Sequence, residues 1–262
     1  MHVFAFDCLI RIVHKALRKK YTCAVVLYYH SVTRQQRAGF ARQMDTLLRM
    51  ATPFFADVGC FPNCAEDRQA AVTFDDGFQS VIENALPELR ARCIPSTLFV
   101  PSGCLGEPQK WIENNDHYDF AEVIVPVEIL EKLKDDSLVH IGSHSVTHSN
   151  LLKIQEHEAW SEICQSKDDL ENIVEREIRG FSFPFGNYSG YHVRVAREAG
   201  YKRVFTILPT VILCNSHFIV GRVYADPSDS LIEFKLKLCG AYRWLPFASL
   251  IKRGCNIILK KY

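Results

Sequence analysis

The sequence predicts a single barrel-like α/β domain built on parallel strands. Short apolar runs alternate with segments of helical periodicity along most of the chain, the pattern of strands joined by helical crossovers. Seven such units follow one another without a second composition regime, an internal repeat or a low-complexity stretch. The length, 262 residues with 48% hydrophobic and 23% charged side chains, suits one globular barrel of roughly 250 residues.

The first element expected is a helix over 4–19. Phe6, Leu9, Ile10, Val13 and Leu17 recur at helical spacing, and Arg11, Lys15, Arg18, Lys19 and Lys20 fill the rest. Such a helix either packs on the domain with a solvated basic face or lies on an anionic membrane surface. Strands are expected at 23–29, 70–74, 96–100, 138–142, 180–183, 203–207 and 217–223, where short apolar runs end in polar or turn residues. Helices are expected at 39–50, 79–92, 126–134, 154–176, 189–199 and 229–239. Pro126 sits at a helix start, and Gly200 and Gly240 sit just past helix ends. The helix at 154–176 places Trp160, Ile163, Cys164, Leu170, Ile173 and Val174 on one stripe. Residues 101–125 form the longest irregular connection, with Pro101, Gly103, Gly106 and Pro108, and long loops in barrels often shape sites. The stretch from Ala241 to Tyr262 is aromatic, apolar and basic. The expected organisation is therefore an N-terminal amphipathic helix (1–21), a catalytic domain (22–240) and a C-terminal helical tail (241–262), with peripheral membrane contact open through the two ends.

Composition narrows the function classes. Lys plus Arg number 31 and Asp plus Glu 30, a formal net charge of +1, which argues against nucleic-acid binding through a broad basic surface. No apolar run approaches the ~18 residues of a membrane span. Ten cysteines lie in a chain whose first residues, with Asp7 and Arg11, do not read as a signal peptide. No Cys-x-x-Cys occurs, so zinc-ribbon spacing is missing, and reduced thiols in the cytoplasm, or on the inner face of the membrane, are the expectation from the lack of a leader.

Four segments put polar residues directly after strand runs, where barrel active sites are built. In Thr73-Phe74-Asp75-Asp76-Gly77 two carboxylates are adjacent. On an extended chain neighbouring side chains point to opposite sides, so one can ligate a metal while the other faces bound water. A single Asp would serve as a helix cap, but two buried together call for a cation. In His144-Ser145-Val146-Thr147-His148 two histidines four apart are expected to share one face of a helical turn, a common zinc-holding arrangement. Phe181-Ser182-Phe183-Pro184-Phe185-Gly186 reads either as a core strand with a Pro-Gly turn or as a pocket wall aiming a backbone N–H at an oxyanion. Tyr28-Tyr29-His30-Ser31 places a histidine after the first strand, where a structural role competes with general acid–base work.

Together these residues resemble the NodB-homology polysaccharide deacetylases of carbohydrate esterase family 4, over roughly residues 22–240. The segments TFDDG (73–77) and HSVTH (144–148) match the first two family motifs, and FPFG (183–186) is similar to the third. The resemblance implies a distorted (β/α)7 barrel and a divalent metal, most often zinc, held by Asp76, His144 and His148. It implies Asp75 as the base that activates water at the metal and the Phe185 backbone N–H as the oxyanion contact. Deacetylases of biofilm poly-N-acetylglucosamine carry an early Tyr-His segment with the acid histidine, and Tyr29-His30 is similar to it, so His30 is the expected general acid. Ser182 stands where the family has an arginine that holds the catalytic Asp. Arg179 and Arg222 are the candidate replacements, with Arg222 preferred. The Asp-x-x-Asp-Trp motif and a clean late Leu-x-His motif are absent, and the segment from Arg222 to Leu236 resembles the tails of exopolysaccharide and surface-glycan deacetylases. The function implied is removal of N-acetyl groups from amino-sugar residues of a glycan. A deformylase, an O-acetyl esterase and a non-catalytic glycan-binding protein are the alternatives.

Overall fold

The structure, a computed structural model, describes residues 24–58, 68–209 and 217–242. The helix expected at 4–19 lies outside these residues, as does all of the C-terminal tail beyond Tyr242. Six parallel strands form most of the wall: β1 (Ala24–Tyr29), β3 (Gln69–Phe74), β4 (Ser96–Val100), β5 (Val139–Ser143), β6 (Gly180–Ser182) and β7 (Arg203–Thr206). A two-residue strand β2 (Thr52–Pro53), absent from the expected elements, pairs beside the start of β3. The last strand is split into β8 (Ile219–Gly221) and β9 (Val223–Tyr224) around Arg222. Its first half pairs with β7 and its second half with β1. One bent strand thus joins both edges of the sheet, whose order is β8-β7-β6-β5-β4-β3-β1-β9. This is the nearly closed, seven-position parallel barrel that the sequence predicts.

Alternation along the strands sorts the core into two layers. Val25, Leu27, Val72, Leu98, Ile141, Phe181 and Val204 join the larger cluster outside the barrel wall. There they meet α1 (Arg37–Met50), α4 (Glu156–Val174) and α6 (Leu231–Leu238) through residues such as Phe40, Ile163 and Phe234. Ala24, Val26, Ala71, Phe99, Phe205 and Val220 make a smaller cluster, the filling of the barrel.

Phe99 and Phe205 meet at the centre with ring centroids 5.0 Å apart. Gly142 makes room for them, because a Cβ there would stand 2.4 Å from Phe99 Cδ1. Gly142→Ala is therefore expected to destabilise the fold by about 1–3 kcal/mol through overpacking, read as a lower denaturant midpoint. An unchanged midpoint would show that the ring has room to retreat.

Two expected helices differ in detail. Residues 79–92 form a π turn (Val81–Ala85) followed by the short α2 (Leu86–Arg90). Pro87 lacks an N–H and its ring crowds the carbonyl one turn earlier, and the wider turn relieves that crowding. In α4, Trp160 is 52% exposed rather than on the apolar stripe. The buried line runs through Ala159, Ile163, Ser166, Leu170 and Val174, and Trp160 is rotated about 100° from Ala159. The other helices, α3 (Val127–Leu133) and α5 (Gly190–Glu198), fall within their expected spans, and Gly200 and Gly240 take positive φ as helix ends require.

Candidate active site

The C-terminal ends of the strands open into one cleft of about 340 Å3, which holds Asp75, Asp76, His144, His148, His30 and Phe185. A second cavity, of about 320 Å3, lies between Lys134, His140 and Arg179 and contains none of these residues.

Asp75 continues the strand, its N–H donating to the Tyr29 carbonyl at 2.9 Å. The chain then leaves the extended conformation, because Asp76 and Gly77 both have φ near the left-handed region, 67° and 66°. The opposite-facing geometry expected of an extended Asp-Asp pair is therefore replaced by a turn that brings both carboxylates to the same cleft. Glycine is required at the second position, since a Cβ would meet Val100 at 3.0 Å.

Arg222 grips Asp75 in a fork, donating from Nη1 to Oδ1 and from Nη2 to Oδ2, each at 2.7 Å. Both side chains are buried. The guanidinium also donates to Ser182 Oγ at 2.8 Å and Thr73 Oγ1 at 3.2 Å. It lies 4.7 Å from the Tyr28 ring centre, 5.4 Å from that of Phe99 and 5.8 Å from that of Phe205. Arg222 thus roofs the aromatic filling of the barrel, and Ser182 serves as one of its acceptors. Arg179 is on the surface, paired with Glu177 at 2.9 Å. Burial works against ionisation of Asp75, but Arg222, aided by His144 and His30, outweighs it and holds the carboxyl below its ordinary range.

Asp76 has no arginine. Its Oδ1 lies 3.1 Å from His148 Nε2 and 3.5 Å from His144 Nε2, yet makes no well-formed hydrogen bond. The His144 ring is fixed by a 2.7 Å contact between Nδ1 and the Ser182 carbonyl, which assigns the proton to Nδ1 and leaves the Nε2 lone pair facing Asp76. The ligand atoms of Asp76, His144 and His148 all lie within 4.8 Å of one another. A carboxylate oxygen and two imidazole nitrogens, buried and converging, fit a divalent cation better than they fit one another.

The two histidines do not share a helical turn, as their spacing suggested. Segment 144–148 is an irregular loop in which Ser145 (φ 66°) and His148 (φ 58°) are left-handed. Local polar groups hold it. The Val146 and Thr147 amides donate to Glu162 Oε2, both at 2.9 Å, and the His148 amide donates to Ser145 Oγ at 3.1 Å. The His148 ring stacks on Trp111 with centroids 3.9 Å apart and meets Phe185 edge-on at 4.7 Å. Phe185 is itself left-handed (φ 57°) and 46% exposed. That conformation costs roughly 1–2 kcal/mol for a residue with a Cβ.

His30 lines the same cleft, its ring 5.7 Å from Tyr28 and 5.8 Å from Tyr224. Next to it, Ser31 Oγ donates to Asp119 Oδ1. Asp119 comes from the long connection 101–125 and is almost fully buried. Burial pushes its carboxyl up, against the opposing pull of Ser31 and His30. Asp119, Trp111 and Tyr118 were not among the expected site residues. Their only signal was the length of the connection that carries them.

A parallel barrel whose strand ends gather an arginine-held carboxylate beside an Asp-His-His set defines the NodB-homology class of carbohydrate esterase family 4. The profile of the polysaccharide deacetylase family matches residues 63–204, more than half of the chain, and the chain belongs to that family. It is 23% identical over 193 residues to a poly-β-1,6-N-acetyl-D-glucosamine N-deacetylase of Staphylococcus aureus, covering 70% of this chain and 61% of that protein. The chain spans 44% and 61% of the length of two curated relatives it matches. The fold is shared with IcaB from Ammonifex degensii (TM-score 0.71, 24% identity, 84% of this chain and 97% of that one). It is also shared with the Streptococcus pyogenes deacetylase PplD (TM-score 0.65, 16% identity, 83% and 99%). Among the described residues no helix is long and apolar enough to cross a membrane, and Cys93, Cys104 and Cys164 are free thiols.

Proposed function

We propose that the chain is a metal-dependent hydrolase that removes N-acetyl groups from amino-sugar residues of a glycan. The observation that carries this reading is the pair of neighbouring carboxylates with opposite environments. Asp75 is neutralised by Arg222, whereas Asp76 faces the Nε2 atoms of two histidines and no arginine. Asp76, His144 and His148 would hold the cation, and zinc suits their nitrogen and oxygen donors best. When bound, such a cation acidifies water to a pKa near 7 and polarises a carbonyl.

Asp75 is the base. The fork from Arg222 occupies one lone pair on each carboxylate oxygen, and each oxygen keeps another with which to take a proton. Arg222 also makes Asp75 a weak base, fitted to receive a proton only from an acidified donor. His30, which lines the same cleft, delivers a proton to the departing amine. The Phe185 N–H, turned by its left-handed backbone, is the donor assigned to the oxyanion. Several aromatic side chains around these groups suit a sugar better than a charged substrate.

Acetate release from β-1,6-linked N-acetylglucosamine oligomers, with metal analysis of the purified protein, tests this directly. One equivalent of divalent metal and acetate release are expected. Asp76→Ala is expected to lose both, and circular dichroism should show a folded chain. Formate release in place of acetate would move the reading to a deformylase. A protein that holds no metal and releases neither acid would overturn it.

A further inference from the structure

We infer that Tyr118 and Tyr224, locked together by Asp226, form a subsite for the sugar next to the one that loses its acyl group. The cleft would then select oligosaccharides over single sugars. The inference rests on the glycan reading above and names the size of substrate that the same site takes.

Tyr118 comes from the 101–125 connection and Tyr224 from the end of β9. Their phenols converge on one carboxylate oxygen, Asp226 Oδ2, donating at 2.9 Å and 3.0 Å, and lie 3.2 Å from each other. The carboxylate cannot swing away. Its Oδ1 accepts from both the amide and the hydroxyl of Ser228, and the Asp226 N–H donates to Asp229 Oδ2 at 2.9 Å. The Asp226 carbonyl accepts from Gln43 Nε2 at 2.7 Å, and Gln43 is fully buried and accepts from the Tyr29 hydroxyl. A chain of hydrogen bonds therefore runs from the core to the two phenols.

The rings so anchored remain exposed, 44% for Tyr118 and 38% for Tyr224. Surface hydrogen bonds of this kind add little stability, so fixing two aromatic faces at the mouth of the cleft needs another explanation. Both tyrosines line the same cleft as the Asp-His-His set. Tyr224 lies against Tyr28 (5.4 Å between centroids) and His30 (5.8 Å). An aromatic floor thus leads from the rim to the reacting group. A pyranose has one flat C–H face and a rim of hydroxyls. The face matches an immobilised aromatic ring, and the hydroxyls match phenol oxygens whose own hydrogens are already committed to Asp226.

The test is calorimetric titration of the full chain carrying Asp75→Asn, expected to slow turnover enough for binding to be read, with β-1,6-linked N-acetylglucosamine of one, two and four units. Affinity is expected to rise about tenfold or more from the monosaccharide to the tetrasaccharide. Adding Tyr118→Ala and Tyr224→Ala should weaken the tetrasaccharide about tenfold and the monosaccharide less than twofold. Should the alanine pair not fold, Tyr118→Phe with Tyr224→Phe is read instead, with an expected loss of about threefold for the tetrasaccharide only. Binding independent of chain length, or a loss equal at both lengths, would overturn the subsite. Length-dependent binding in a wild-type protein that releases no acetate would refute the deacetylase reading and leave the subsite standing.

Discussion

Asp75→Asn is expected to lower turnover by between about 10² and 10⁴-fold while the metal content stays near one equivalent. The substitution removes the carboxylate that Arg222 holds in a fork. It leaves Asp76, His144 and His148 untouched. The amide keeps the size of the carboxylate but presents an NH2 group to one arm of Arg222, where two donors then face each other. A drop in melting temperature should accompany the loss of activity, and it must be measured so that the two are not confused. Activity within a few-fold of wild type in a folded, metal-loaded variant would remove Asp75 from the base role.

Arg222→Met is expected to cost about 3–5 kcal/mol of stability, because it strands a buried carboxylate without its partner. For a domain of this size that is a fall in melting temperature of roughly 10 °C. Methionine fills much of the volume above Phe99 and Phe205, so the loss reads mainly as electrostatic. The double variant Arg222→Met with Asp75→Leu should recover much of the stability and none of the turnover, since a pair of apolar side chains can replace a buried ion pair. Thermal melts of the two single variants and the double close a mutant cycle. Additive losses in that cycle would mean that the fork contributes nothing as a pair.

The parts of the site legible in the sequence are those carried on contiguous segments. Asp75, Asp76, His144 and His148 stand in short runs right after strands, so one strand end delivers each pair. The geometry within those runs was not legible. Left-handed backbone at Asp76, Ser145 and His148 lies in tight turns, and the turn at 145–148 is held by Glu162, 15 and 16 residues from the amides it accepts from, which spacing does not encode. Between Arg179 and Arg222, only the place of Arg222 on the last strand favoured it in the sequence. What separates them is the bend between β8 and β9, which aims Arg222 into the barrel while Arg179 faces solvent. Asp119, Trp111 and Tyr118 sit in a connection without periodicity, where no pattern says which side chain turns inward. Barrel architecture, in contrast, followed from the alternation of strands and helices alone, because parallel pairing leaves few other ways to bury so many apolar runs.

The split last strand has a consequence for how the chain becomes competent. Arg222 sits at the seam where the sheet's first and last strands come together, and the same side chain holds the buried Asp75 carboxylate. A chain that has collapsed without completing its circle lacks the fork that fixes the Asp75 carboxylate beside the histidines. Closing the barrel and positioning the base are thus tied to the same residue.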